Sequence, residues 1–177
     1  MKNADNYFDE EQQKYYLETY SKTVAYKKET KTTVTDFKLD KVIGLGSFGQ
    51  VYYGFDMTNG RPMAVKQVPI SAFGTHSATQ AKKISALEHE IKLLESLNHQ
   101  NIVNYLGTHK DEDNINVFLE FVSGGTLENV YKKHTLSENL IAIYTKQILL
   151  GLEYLHYNNI IHRDIKSANI LFKDGTC

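Results

Sequence analysis

Alternation of apolar and polar residues is the first regular pattern along this chain, and it begins near residue 36. Segments of this kind, rich in β-branched and aromatic residues, predict strands at Phe37–Ile43, Gly49–Phe55 and Pro62–Val68. A turn signal, Thr58-Asn59-Gly60, separates the second segment from the third. Three successive strands joined by short turns predict an antiparallel meander.

A helical period replaces the alternation between Ala78 and Leu97. Apolar residues recur there every three or four positions, as they do on one face of a helix: Ile84, Leu87, Ile91, Leu94 and Leu97. The polar run Asn98–Asn101 ends the pattern. The segment therefore predicts an amphipathic helix. Two more strands are predicted after it, at Ile102–Thr108 and Asn116–Val122, with an acidic turn between them.

The breaker Ser123–Thr126 joins this strand-rich half to a half in which the pattern predicts only helices. These helices are Leu127–Lys133 and Ser137–Tyr157. The longer helix carries apolar residues on nearly every side, so we expect it to be buried all round. The separation of strands from helices along the chain indicates the α+β class.

Residues 1–35 are rich in Lys, Glu, Thr and Tyr, and their scattered apolar residues follow only a weak helical period. A partly ordered N-terminal extension is favoured over a helix that binds a partner. We therefore expect an extension over 1–35, a strand-rich half over 36–122 and a helical half over 123–177.

Composition and charge narrow the classes of function. The 177 residues are 41% hydrophobic, enough for a buried core, and 20 basic and 21 acidic side chains give a net charge of −1. Neither nucleic acid nor an anionic membrane is therefore an expected partner. No targeting segment or membrane-length apolar run is visible. The only cysteine, Cys177, cannot build a disulfide framework, which favours a cytoplasmic location.

A glycine-rich turn, Gly44-Leu45-Gly46-Ser47-Phe48-Gly49, is the first candidate for phosphate chemistry. The same G-x-G-x-x-G string opens dinucleotide-binding folds, but there it runs into a helix that receives the pyrophosphate. Here Gln50–Phe55 continues as a strand, so the turn is interpreted as a hairpin flap that can lie close over phosphates, with Ile43 and Val51 covering a base. An ordinary glycine hairpin is the alternative.

Lys66 supplies a second element, because it ends an apolar run in which a cation is normally unwelcome. It can point under the flap if a carboxylate holds its ammonium group. At about 100° per residue, Glu90 lies roughly 50° from the centre of the helical apolar stripe, and Glu88 about 110°. We therefore predict that Glu90 faces inward and pairs with Lys66. A glutamate at the stripe edge that reaches water is the alternative.

The segment Ile161–Leu171 places an acid, a cation and an amide within a few positions, between two apolar runs. Asp164 could accept a proton, Lys166 could direct its charge to a phosphate, and Asn169 could offer an oxygen to a metal ion. Phosphoryl transfer requires these three contributions.

These elements, in this order, resemble the eukaryotic protein kinases. The resemblance runs from about Phe37 to the end of the chain: a G-x-G-x-x-G-x-V flap, an Ala-Val-Lys strand, a helix with a glutamate, a hinge, and His-Arg-Asp-x-Lys-x-x-Asn. It implies a small lobe of five antiparallel strands and one helix, a mainly helical large lobe, and ATP with Mg²⁺ in the cleft between them.

The resemblance also implies a role for each matching residue. The implied catalytic residues are Asp164, Lys166, Asn169, Lys66 and Glu90, with Asn169 as a magnesium ligand. The implied nucleotide-binding residues are Ile43, Gly44, Leu45, Gly46, Ser47, Phe48, Gly49, Gln50, Val51, Ala64, Lys66, Glu120, Val122 and Leu171. Supporting roles are implied for Leu119 behind the adenine, Thr126 near the ribose, and His162 and Arg163 within the loop.

Lys166 further indicates the substrate class, since serine/threonine kinases have a lysine two residues after this aspartate. The segments Glu90–Leu94, Leu97–Val103, Gly124–Leu127 and His162–Asn169 are together most similar to mitogen-activated protein kinase kinase kinases. The resemblance implies transfer of the ATP γ-phosphate to serine or threonine of a protein substrate, such as a downstream kinase in a signalling cascade.

The sequence departs from the family after Asn169. Kinases continue with Asp-Phe-Gly, whose aspartate holds magnesium, but the chain ends at Phe172–Cys177 without this motif. We therefore expect very low turnover from these residues alone, and an uncovered apolar surface on the helix Ser137–Tyr157. One hypothesis is the N-terminal part of an active kinase, supported if Asp-Phe-Gly follows in frame. The other is a short chain that binds a nucleotide or a partner without turnover.

Overall fold

The computed structural model describes residues 34–46, 49–73 and 77–173, which all fall within one compact unit, Thr32–Cys177. The described residues form five strands: β1 (Phe37–Gly46), β2 (Gly49–Asp56), β3 (Arg61–Pro69), β4 (Tyr105–Lys110) and β5 (Asn114–Glu120). They also form three α-helices, α1 (Ser77–Ser96), α2 (Leu127–Lys133) and α3 (Glu138–Tyr157), and 3-10 turns at Ile70–Phe73 and Ser167–Asn169. The predicted extension over residues 1–35 lies outside the described residues, apart from its last two.

The five strands form one antiparallel sheet in the order β1-β2-β3-β5-β4. β1, β2 and β3 are the predicted meander, in which each strand pairs with the next. After α1 the chain returns so that β5 pairs with β3 on one side and with β4 on the other. The predicted α+β class, with five antiparallel strands and one helix in the small lobe, is confirmed.

β4 and β5 begin and end at other residues than predicted, because the turns beside them include residues that the apolar pattern assigned to strands and exclude others. Ile102, expected to begin a strand, lies in a turn where its N–H donates to the carbonyl of His99 at 3.0 Å. At the other end, the Asp111 carboxylate accepts from the N–H groups of Asp113 (2.9 Å) and Asn114 (2.7 Å). This compact turn lets β5 begin at Asn114.

The apolar stripe of α1 packs on one face of the sheet. Leu87 and Ile91 are buried against Val68 of β3 and against Ile115 and Val117 of β5. Each such side chain contributes roughly 1.5–3 kcal/mol through burial, so the stripe fixes the rotation of α1 about its axis. That rotation decides which of the polar residues beside the stripe lie near β3.

The other face of the sheet carries a second buried cluster. Met63 and Val65 of β3 pack there with Phe118 of β5 and with Val34, which precedes β1. Phe37 meets Phe118 edge-to-face, with 4.9 Å between ring centroids. Buried side chains therefore lie on both faces of the sheet, and β3, its central strand, contributes to both clusters.

A short backbone ladder connects the segment after β5 with the segment that follows the second 3-10 turn. The N–H of Gly124 donates to the carbonyl of Phe172 at 3.0 Å, and the N–H of Phe172 donates to the carbonyl of Gly125 at 3.0 Å. A Cβ at Gly124 would lie 2.3 Å from the Phe172 carbonyl oxygen, and Gly125 has a φ of 77°. Gly124 therefore has no room for a side chain, and the backbone conformation of Gly125 favours glycine.

α3 is less buried than its composition predicts. Only Gly151 and Leu155 are buried, whereas Ile141, Ile143 and Leu149 are 49%, 51% and 58% exposed. The prediction of all-round burial is wrong for the described residues: the segment before β4 contacts α3 at Gly151 and Tyr154, Phe172 contacts it at Tyr144, and these three apolar side chains stay exposed. The expected uncovered apolar surface is present. None of the described helices is both long and apolar enough to span a membrane.

Candidate active site

The flap is the hairpin in which β1 and β2 meet, closed by the pairing of Gly46 with Gly49. Ser47 and Phe48, at its tip, lie outside the described residues. The register of β1 shifts twice between Leu39 and Gly44, and such irregularities bend a strand and increase its twist. Leu45 at the flap is 82% exposed.

Two of the flap glycines occupy different environments. A Cβ at Gly49 would lie 2.0 Å from the backbone oxygen of Gln67, so this glycine is needed for β2 to pack beside β3. A Cβ at Gly44 would come no closer than 3.7 Å to Val51, which is an ordinary contact. The sequence motif suggested only a phosphate-facing role for these glycines, and the packing role of Gly49 depends on a strand too distant in sequence to be recognised.

Strand pairing gathers the nucleotide candidates on one face of the sheet. Val51 of β2 lies opposite Lys66 of β3, and Ala64 lies opposite Leu119 of β5. Because side chains alternate along a strand, Ala64 and Lys66 share a face. Leu119 also packs against the cluster that holds α1, so the rear of this surface is tied to the helix.

Gln50 lies on the other face. Its side chain accepts a hydrogen bond from the Tyr52 hydroxyl, and Tyr52 packs against the cluster formed by Met63, Val65 and Phe118. Within the predicted nucleotide set, Gln50 can therefore reach the cleft only through its backbone. Ile43, also in that set, is 44% exposed beside the flap.

The predicted ion pair between β3 and α1 is present. Lys66 Nζ lies 3.8 Å from Glu90 Oε1, and the two side chains are 27% and 54% exposed. Glu90 is therefore not inward in the sense of being buried, because it lies at the edge of the stripe, where it reaches both Lys66 and water. Glu88, on the next flank of α1, pairs instead with Lys110 of β4 at 3.3 Å.

The hinge residues lie between the sheet and α2. Glu120 ends β5, and its N–H donates to the carbonyl of Asn104 at 2.8 Å. Thr126 caps α2, since its hydroxyl oxygen accepts from the N–H of Asn129 at 3.2 Å. Thr126 also forms a bridge with Leu171, which brings this predicted nucleotide-binding residue beside the hinge. A threonine directly before a helix is a sequence signal for this cap. The cap is a structural role of Thr126 beside the one near the ribose that the family resemblance implies.

Asp164 is the centre of the candidate catalytic loop. Lys166 Nζ lies 2.9 Å from Asp164 Oδ2. The amide nitrogen of Asn169 donates both to Oδ2 and to the backbone oxygen of Asp164, at 2.9 Å each. The N–H of Asp164 donates to Nδ1 of His162 at 3.3 Å. The structure thus brings together the aspartate, lysine and asparagine that the motif predicted.

These contacts set the electrostatics of the loop. The hydrogen bond from Lys166, followed by that from Asn169, lowers the pKa of Asp164 from its ordinary value of 3.8. Arg163, immediately before it, has a φ of 67°, a region that non-glycine residues rarely adopt. The loop is therefore held by its contacts rather than by local backbone preference, and it presents an ionised carboxylate.

The residues present only partly fit a magnesium site. With its nitrogen donating to Asp164, Asn169 keeps Oδ1 as a possible ligand, and carboxylate and amide oxygens suit Mg²⁺. The described residues contain no group of three or more His, Cys, Asp or Glu side chains that could hold a metal ion. They supply part of a coordination shell at most.

The sequence patterns did not predict one polar network near the hinge. Glu120 Oε2 accepts from the amide nitrogen of Asn104 at 2.9 Å, and Glu120 Oε1 contacts Nζ of Lys173 in an ion pair. The partners are 16 and 53 positions away from Glu120 in the sequence. No local pattern reveals contacts of that separation, so only the fold could identify them.

Comparison with known proteins agrees with this geometry. The family model for the protein kinase domain matches residues 37–176. The crystal structure of Rad53 1-466 in complex with AMP-PNP superposes with a TM-score of 0.67 at 32% sequence identity, covering 78% of this chain and 35% of that chain.

Curated relatives are similar over the same part of the chain. Mitogen-activated protein kinase kinase kinase ANP1 of Arabidopsis thaliana is 49% identical over 139 residues, which are 77% of this chain and 21% of that protein. Mitogen-activated protein kinase kinase kinase 1b of Physcomitrium patens is 50% identical over 77% of this chain and 17% of its own. Mitogen-activated protein kinase kinase kinase A of Dictyostelium discoideum is 45% identical over 74% of this chain and 14% of its own.

The match thus spans about a fifth or less of these relatives' own lengths. Within that part, the flap, the ion pair on α1 and the loop around Asp164 occur in the order typical of the family. The chain belongs to the protein kinase family, and it is similar to the mitogen-activated protein kinase kinase kinases within that family.

Proposed function

We propose that this protein binds ATP in the cleft beneath the flap and transfers the γ-phosphate to serine or threonine hydroxyls of a protein substrate. The observation that carries the proposal is the position of Asp164, whose carboxylate is oriented by Lys166 and Asn169 at 2.9 Å. A carboxylate fixed in this way, on a fold that also holds the Lys66–Glu90 pair, suits phosphoryl transfer.

Each group would make a separate contribution. Lys66 would hold the α- and β-phosphates under the flap, and Glu90 would keep its ammonium group in place. The substrate hydroxyl would donate a hydrogen bond to Asp164, attack the γ-phosphorus and release ADP, with its proton passing to the carboxylate. Because the pKa of Asp164 is lowered, this aspartate is a weak base that orients the hydroxyl and takes the proton late.

The remaining nucleotide contacts follow from the same placement. Backbone groups of Glu120 and Val122 would bind the adenine, with Ala64 above it and Leu171 below. Mg²⁺ bound with the ATP would neutralise phosphate charge, and Oδ1 of Asn169 is the atom of this loop that would hold it. We assign residues 36–122 to the nucleotide-covering small lobe and residues 123–177 to the hinge and the catalytic loop.

The relatives suggest the biological setting. Since the similar curated proteins are mitogen-activated protein kinase kinase kinases, we propose a role in such a cascade, with a downstream kinase as the protein substrate. The net charge of −1 gives nucleic acid no overall electrostatic attraction. The absence of a disulfide framework in the sequence favours a cytoplasmic location.

The test is phosphoryl transfer by the protein expressed from its complete coding sequence, including any residues that follow Cys177, since very low turnover is expected from these 177 residues alone. Transfer of γ-phosphate to serine or threonine of a basic protein substrate, identified by phosphoamino-acid analysis, is expected to be lost in Asp164→Ala. Asp113→Ala, an exposed aspartate in the β4–β5 turn, is the matched control and should retain transfer. ATP binding without transfer above the Asp164→Ala level would contradict the enzymatic proposal.

That outcome would support a second candidate function, a kinase-like domain that binds a nucleotide or a protein partner without turnover. The observation in its favour is the apolar surface of α3, where Ile141, Ile143 and Leu149 are about half exposed. Exposed apolar residues grouped on one helix are typical of protein interfaces.

A further inference from the structure

Glu120 carries a charge in a position that most glutamates avoid. Its side chain is only 11% exposed, whereas the acidic partners in the ion pairs of Lys66, Lys110 and Lys166 are 54%, 53% and 62% exposed. A carboxylate so far removed from water is stabilised only if its oxygens are paired. Both oxygens of Glu120 are paired, Oε1 with Lys173 and Oε2 with Asn104.

The two partners come from different parts of the fold. Asn104 directly precedes β4, and its carbonyl also accepts the N–H of Glu120 at 2.8 Å. Lys173 follows Phe172, whose backbone is hydrogen-bonded to Gly124 and Gly125 at 3.0 Å. The Glu120 carboxylate therefore connects the sheet to the strand-like segment that leaves the catalytic loop.

We propose that Asn104 and Lys173 are positioning residues, which act through Glu120 to hold the hinge in the conformation that binds adenine. This inference rests on the proposed ATP binding. Glu120 and Val122 would present backbone groups to the base, and the carboxylate network fixes the first of these residues on both sides. The segment after the catalytic loop thereby helps to determine how tightly the hinge holds a purine.

The physical effect of breaking the network is selective. Without Lys173, the largely shielded Glu120 carboxylate turns toward water, and the hinge backbone moves with it. The network of Glu120, Asn104 and Lys173 includes neither the flap nor the Lys66–Glu90 pair, so the site for phosphate groups should stay in place. Loss of Lys173 should weaken binding of adenosine but not of a free polyphosphate.

The experiment compares two ligands on the 177-residue chain, ATP and inorganic tripolyphosphate, by isothermal titration calorimetry. If the fraction of molecules whose hinge can bind adenine falls to a fifth or a tenth, Lys173→Met should bind ATP about five- to tenfold more weakly. It should bind tripolyphosphate as tightly as the unmodified chain does. Lys173→Arg keeps the pair and should restore ATP affinity. Lys132→Met, which removes an exposed ion pair to Glu128 on α2, is the matched control and should not change either affinity.

Two results would overturn the proposal: equal ATP affinity in Lys173→Met and the unmodified chain, or a parallel loss of both ligands, which indicates general disruption. If Lys173→Met does not fold, Asn104→Ala removes the neutral hydrogen bond from the same carboxylate. It should weaken ATP binding by a smaller factor in the same direction, and unchanged affinity would also overturn the proposal. Failure of the unmodified chain to bind ATP would instead refute the proposed function.

Discussion

Asp164 shows how closely spaced residues in one loop can set a single chemical property. Lys166 and Asn169 are near it in sequence, and both reach the same carboxylate oxygen at 2.9 Å. The motif therefore indicated the correct trio, since a short loop restricts where these side chains can lie. It could not indicate that Asn169 donates from its nitrogen, which leaves Oδ1 as its possible metal ligand.

Removing the charge of Lys166 should raise the pKa of Asp164 toward 3.8, because the hydrogen bond from Lys166 is the largest cause of its lowered value. The lowered pKa stabilises the fold at pH values above the ordinary range of aspartate, and this contribution is lost as the pH falls through the folded-state pKa. Carbon-13 NMR titration of the carboxyl in Lys166→Met measures the change. Lys132→Met should leave the Asp164 titration unaltered, and an unaltered titration in Lys166→Met would refute the assignment.

At the scale of elements, the sequence predicted local structure well where one strong pattern acted alone. The stripe on α1 was identified because Leu87 and Ile91 bury the same face that their spacing defines. β4 and β5 were displaced because the Asp111 side chain organises a compact turn, and periodicity does not register such side-chain contacts with the backbone. The Lys66–Glu90 pair was predictable from geometry, but the exposure of Glu90 depended on how the helix edge meets β3.

The contact between His99, in the segment that follows α1, and Tyr154 of α3 should make the stability of the fold depend on pH. His99 is buried and stacks on Tyr154 with ring centroids 4.9 Å apart, and burial lowers the pKa of His99 below 6.5. The unfolded chain therefore binds a proton more readily than the folded chain. Stability contributed by neutral His99 is present above pH 6.5 and is lost as the pH falls through that value toward the folded-state pKa.

Urea unfolding at pH 7.5 and pH 5.5 measures this dependence. His99→Asn keeps a polar acceptor for the N–H of Asn101 but cannot titrate, so its free energy of unfolding should change less between the two pH values. His134→Asn, an exposed histidine at the end of α2, is the control and should behave as the unmodified chain. An equal pH dependence in His99→Asn would show that His99 does not contribute.

For the whole molecule, the exposed apolar surface of α3 is the feature that the composition of the helix did not predict. A helix that is apolar on most sides is normally covered, yet the described neighbours that contact α3 at Tyr144, Gly151 and Tyr154 leave Ile141, Ile143 and Leu149 about half exposed. Contacts between distant parts of a chain decide such burial, as they also decide the Glu120–Lys173 pair. Sequence periodicity carries no information about them.

We expect the 177-residue chain to self-associate through the exposed apolar residues of α3. Replacing Leu149, which is 58% exposed on α3, by lysine should shift the chain toward monomer in analytical ultracentrifugation. Met57→Lys changes an apolar residue of similar exposure, 51%, in the β2–β3 turn, and should leave the sedimentation profile as it is. A monomeric unmodified chain, or equal effects of both substitutions, would contradict this expectation.

We propose that Lys66 holds the phosphates of ATP beneath the flap, and calorimetric titration of ATP into Lys66→Met tests this role. Lys110→Met is the matched control, because Lys110 pairs with α1 through Glu88 and not through Glu90. We predict that Lys66→Met weakens ATP binding at least tenfold, about 1.4 kcal/mol, while Lys110→Met binds as the unmodified chain does. Equal ATP affinities of Lys66→Met and the unmodified chain would contradict this role of Lys66.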